Sequence, residues 1–171
     1  MGNELTDSSK DRKLREHLLY LLKEGGAHID FDTFARDFPV ELINEKVGEL
    51  PYTAWQVLEH MRIAQWDILE FSRNPEHVSP QFPKGYWPSP DTVPTSEMWT
   101  RTIQAFKSDL REMSQLIDDP ATDLFAPIPH GSGQTILREA LLLADHNAYH
   151  LGGLLVIAKA VGGKRRRQTQ K

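Results

Sequence analysis

An all-α four-helix bundle in up-down-down-up order is the fold the sequence predicts, and three observations carry it. Four stretches place apolar residues at helical spacing, no segment alternates convincingly as a strand would, and a proline-rich segment divides the second stretch from the third. Short loops force antiparallel neighbours, whereas a long crossover lets two helices lie parallel. At 171 residues, with 39% hydrophobic residues and a net charge of -4, the chain suits one self-sufficient domain over residues 1–163, followed by a basic tail over 164–171.

The first helix is expected from about Lys10 to Glu24, with Leu14, Leu18, Leu21 and Leu22 on one face, Ser8 or Ser9 as its cap and Gly25-Gly26 as its end. The connection that follows, to Leu50, carries a short amphipathic piece around Asp32 to Phe38 and then Pro39. The second long helix begins near Pro51 and stops before Asn74-Pro75, with Ala54, Val57, Leu58, Met61, Ala64 and Ile68 as its core stripe. Six prolines between Pro75 and Pro94 then exclude both helix and central strand, leaving a stiff crossover.

The third helix runs from Thr95 to about Ile117, where Trp99, Ile103, Phe106, Leu110, Met113 and Ile117 form a packing seam. Asp118-Asp119-Pro120 ends it. The fourth is expected from about Gln134 to Val161, ending at Gly162-Gly163, with Leu137, Leu141, Ala144, Ala148, Leu151 and Leu155 as one apolar stripe. His146 and His150 fall on another side of it, among Leu143, Leu154 and Ile157.

Composition narrows the function. A pI near 6.0 gives no overall positive field for nucleic acid, so none is expected as partner. The absence of cysteine removes disulfides, thiolate metal sites and a cysteine nucleophile, so a metal here would rest on His, Asp or Glu. The polar stretch from Met1 to Lys13 and the lack of a long apolar run lead us to expect a cytoplasmic protein with no membrane span.

His146 and His150 stand at i and i+4, one turn apart on one helix face, a spacing that lets both imidazoles bind one ion. Two histidines that hydrogen-bond separately to side chains or water satisfy the same pattern. His60 lies on the shoulder of the second helix's core stripe and can reach a groove between helices; it too reads either as a third ligand or as a satisfied core histidine. Three neutral nitrogen ligands would leave a fourth position open, as catalytic sites do. Glu139 and Asp67 lie two turns from His146 and His60, about 10 Å along each axis, so either could orient an imidazole only across helices, or simply pair at a surface.

Leu58-Glu59-His60-Met61-Arg62 and Asp145-His146-Asn147-Ala148-Tyr149-His150-Leu151-Gly152 resemble the two metal-binding helices of the DinB/YfiT-like superfamily. The likeness extends to the first helix, to Trp55 through Pro75, and to the crossover with Gly85-Tyr86-Trp87-Pro88. The resemblance implies the four-helix fold, frequent homodimers, and a nickel, zinc or similar ion held by His60, His146 and His150. Its relatives include thiol-dependent transferases and suspected hydrolases, so the expected activity is metal-dependent hydrolysis or thiol transfer on a small molecule. No general acid or base can be named, and a non-catalytic, stress-associated or interaction role fits the same residues.

His28, His77 and His130 fall in connections, where histidines are usually exposed, and His17 on the flank of the first helix, so all four are expected outside the site, with His130 alone placed where it could approach the start of the fourth helix. Tyr86-Trp87-Pro88 reads equally as a pocket wall or as packing across the bundle's end. Lys164 to Arg167 reads as a solvated tail or as a patch for anionic partners.

Overall fold

The computed structural model describes residues 2–24 and 26–168, and among these it is helical, with no strand. Its helices are α1 (Gly2–Glu24), α2 (Phe31–Asp37), α3 (Ala54–Arg73), α4 (Ser96–Asp118) and α5 (Ile136–Gln168), with single 3-10 turns at Val40–Leu42 and Lys84–Tyr86. α3 and α1 each pack against both α4 and α5. None of the helices is long and apolar enough, among the described residues, to cross a membrane.

Helix starts follow side-chain chemistry. Thr53 and Gln56 form a reciprocal capping box, which begins α3 three residues after Pro51. Thr95 accepts from the Met98 amide to open α4, and Asp30 caps the short α2 in the same way. α1 departs from expectation, since it is already helical at Gly2 and so runs through Ser8 and Ser9 instead of being capped by them. Its end is as expected: Gly26 takes a left-handed φ of 61°.

α5 also outruns its expected end, passing through Gly162-Gly163 to Gln168. An interior glycine costs a helix about 1 kcal/mol relative to alanine but ends it only where the backbone turns left-handed, and Gly162 has no positive φ. The residues that opened the tail, Lys164 to Arg167, thus continue the helical backbone.

Two packed clusters make the core. One gathers Phe34, Phe38, Trp55, Leu58, Met61, Trp99, Phe106, Leu154 and Ile157; the other gathers Leu18, Leu22, Ile68, Leu69, Met113, Ile117, Leu124 and Leu143. The expected stripe of α3 is buried throughout, and that of α4 is buried at Trp99, Phe106, Met113 and Ile117. On α5 the two apolar sides are buried unequally: Leu143, Leu154 and Ile157, on the histidine side, are all buried, whereas on the other stripe Leu151 is buried but Leu141 and Ala148 are exposed. Leu21 on α1 is likewise outside the core.

A buried cation closes the far end of α4. The Arg15 guanidinium donates to the main-chain oxygens of Ile117, Asp119 and Thr122 and pairs with Asp11 at 2.7 Å. The last carbonyls of a helix lack partners and carry the negative end of its dipole, so an arginine there satisfies both needs.

Candidate metal centre

α3 supplies His60 and α5 supplies His146 and His150, and their rings meet where the two helices pack. One nitrogen of each lies within 4.8 Å of the others. The Nε2 of His60 is 3.2 Å from the Nε2 of His150 and 3.2 Å from that of His146. Nitrogens bound tetrahedrally to one ion at about 2.0–2.1 Å sit roughly 3.3 Å apart, so the His60 separations fit a common ion. The sequence-predicted triad is therefore brought together, and no Asp or Glu joins it among the described residues.

The crossover between α3 and α4 sets the His60 ring. Its Nδ1–H donates to the main-chain oxygen of Tyr86 at 2.8 Å. A carbonyl only accepts, so a neutral His60 carries its proton on Nδ1 and presents a lone pair at Nε2. The ring lies flat against Trp87, with centroids 4.0 Å apart and planes within 2°, and Tyr52 stacks on the other face of Trp87 at 3.8 Å. Trp87 thus packs directly on a histidine of the site, a contact that neither reading of Tyr86-Trp87-Pro88 names.

That crossover is itself anchored to α3. The Tyr86 hydroxyl donates to Asp67 at 2.6 Å, and Asp67 also takes the Nε2 of His77 at 2.8 Å. Burial, then the carboxylate, pushes the Tyr86 hydroxyl up to about 12. Gly85 lets the crossover fold closely on itself: a Cβ there would stand 2.7 Å from the Cβ of Pro80. Asp67 thus touches no histidine of the triad, yet it holds the residue that orients one.

Burial, opposed by the Tyr86 carbonyl, lowers the pKa of His60. Burial, with the other histidines adding to it, pushes His146 and His150 down to about 4. All three rings are neutral at pH 7, the state a metal requires. His146 and His150 are only partly buried, and the edge of the exposed Tyr149 ring meets His150 at 4.9 Å. Solvent therefore reaches the triad from the α5 side.

The other residues weighed from sequence fall elsewhere. Glu139 is buried and pairs with Arg138, not with a histidine, and burial raises its carboxyl pKa. His130 bonds to the Phe71 carbonyl at 2.6 Å, His28 bonds to the Ile29 carbonyl, and His17 is exposed. His77 was expected in solvent, but its side chain is buried against Asp67 and Trp66. No periodic signal could have found it, because it sits in the crossover and its partners lie on α3.

The family model of the DinB superfamily matches residues 27–154, well over half of the chain and all three histidines. No curated protein and no solved structure gives a match. With the matched segment spanning α2 through the histidine turn of α5, the chain belongs to the DinB superfamily.

Proposed function

We propose that this protein binds one divalent metal ion, zinc or nickel, through Nε2 of His60, His146 and His150, and acts as a metal-dependent enzyme on a small molecule. The reaction would be hydrolysis or transfer involving a low-molecular-weight thiol. The observation that supports this reading is the meeting of three neutral imidazoles where α3 packs on α5, with His60 already held in the tautomer a ligand needs. Imidazole donors suit both metals.

When bound, the ion would supply Lewis-acid chemistry, polarising a carbonyl or acidifying a water or thiol. The chain supplies the rest. The Tyr86 carbonyl orients His60, and Trp87 shields one face of that ring from water. The outer face of α5, where Leu142, Tyr149 and Val156 are exposed, is the surface we assign to a second copy of the chain.

Elemental analysis of untagged protein beside His146→Ala tests the metal. About one ion per chain, lost in the variant, is expected of a three-ligand site. Wild-type protein that takes up neither zinc nor nickel would overturn the reading and leave the histidines as core or interface residues, with a non-catalytic role in place of an enzymatic one.

A further inference from the structure

Apolar packing alone does not dictate how α5 meets α3. α5 carries leucines on two sides; the histidine side is buried at Leu143, Leu154 and Ile157, whereas Leu141 and Ala148 on the other side are exposed. Apolar burial is non-directional, so a rotation of α5 about its axis, or a slide by one turn of about 5.4 Å, exchanges one leucine contact for another. Either movement would carry His146 and His150 away from His60.

Where α3 faces α5, a polar pair removes this ambiguity. Gln65 of α3 is fully buried, and its Oε1 accepts from the Asn147 Nδ2 of α5 at 3.0 Å. Its Nε2 donates to the main-chain oxygen of Phe106, inside α4. A carbonyl can only accept, so that contact fixes which end of the Gln65 amide turns toward α5. One side chain thereby ties α3 to α4 and to α5. Asn147 stands one turn from Leu143 and one turn from Leu151, an amide between buried leucines.

We propose that the hydrogen bond between Gln65 and Asn147 selects the buried face and the register of α5, and that His146 and His150 meet His60 because of it. Both amides are then positioning residues for the histidine cluster. In any other packing Gln65 would stay in the core with its oxygen unpaired, which disfavours that packing by roughly 10–100-fold. A buried polar contact adds little net stability, and its best-attested use is to specify register among apolar alternatives. The reach to the histidines is short. Asn147 adjoins His146 in sequence, and Gln65 lies five residues from His60, about 7.5 Å along α3.

Gln65→Met combined with Asn147→Leu tests this on metal-free protein. The pair replaces both partners by apolar side chains of similar shape and leaves the Phe106 carbonyl its donor within α4, so the melting midpoint is expected to hold or to rise. The nuclear Overhauser effect between the His60 and His146 rings, whose centroids lie 5.0 Å apart, is expected in wild type and lost in the double variant. Apparent zinc affinity, the one readout that rests on the metal-binding reading above, is expected to fall about 10-fold, following the fraction of molecules that keep the native packing. An amide pair that merely stabilises the core predicts the reverse: a lower midpoint with the ring contact and the affinity unchanged. That pattern, a ring contact that survives in the double variant, or its absence from wild type overturns the proposal. Wild type that shows the ring contact but binds no zinc overturns the metal reading and leaves the role of the amides standing. Should the double variant not fold, Asn147→Ala decides by the same ring contact, since it deletes only the half-buried donor to Gln65: loss is expected, and a contact equal to that of wild type overturns the assignment.

Discussion

The main-chain oxygen of Tyr86 stands 2.8 Å from Nδ1 of His60, a residue 26 positions earlier in the chain. The contact joins a proline-rich crossover to the helix it leaves, and the Tyr86 hydroxyl returns to that helix at Asp67. One residue therefore holds the crossover with its side chain and a histidine with its backbone.

Tyr86→Phe separates those two functions. It keeps the carbonyl but removes the bond to Asp67, so stability is expected to fall by about 1–2 kcal/mol in urea unfolding. Zinc affinity is expected to drop by about 10-fold as the His60 orientation loosens. Unchanged affinity would mean that the prolines and Trp87 alone hold the carbonyl in place.

Trp87 reports on the same site, since its ring lies 4.0 Å from that of His60. Nickel is expected to quench tryptophan fluorescence on binding, and Trp87→Phe should remove most of that change despite the three other tryptophans. Equal quenching in the variant would place the bound ion away from this stack.

The depressed histidines make the metal-free protein acid-sensitive. The unfolded chain takes up protons at His146 and His150 below about pH 6.5, whereas in the folded protein burial holds both down to about 4. Their contribution to stability is thus complete above the unfolded value and is lost as pH falls through the folded one. Denaturation with a chelator present should show stability declining from about pH 6.5 toward 4, less steeply in His150→Leu. A flat wild-type profile would contradict the buried, neutral state.

Arg15→Met would leave the Ile117, Asp119 and Thr122 carbonyls without their shared donor. A loss of about 2–4 kcal/mol is expected, from several charge-assisted hydrogen bonds at a buried helix end. A loss below about 0.5 kcal/mol, the range of an ordinary surface change, would show that water replaces the guanidinium at no cost.

Val156→Glu on the outer face of α5, where Val156 is 60% exposed, tests the second copy. Light scattering is expected to show a dimer for wild type and a monomer for the variant, with helix content unchanged. A monomeric wild type would remove the assignment.

Local chemistry was legible in the sequence. The i,i+4 spacing of His146 and His150, the prolines of the crossover, and the α3 and α4 stripes each depend on residues within a few turns of one another. Positions of helix ends were less so. A capping side chain and a left-handed glycine leave local marks, but α1 and α5 extend past their marks because serine and glycine disfavour helix by only about 1 kcal/mol or less.

The tertiary structure alone decided which face of α5 is buried, because that helix is apolar on two sides and periodicity cannot rank them. It decided the work of Tyr86 and Asp67 for the same kind of reason. A backbone carbonyl has no side-chain identity to read, and the partners of Asp67 lie 10 and 19 residues away, the carbonyls that Arg15 serves more than 100. What the sequence determined by itself was the helical class and the three histidines able to meet. Which protons those histidines carry, and what holds their rings, depends on through-space neighbours that only the packed chain brings together.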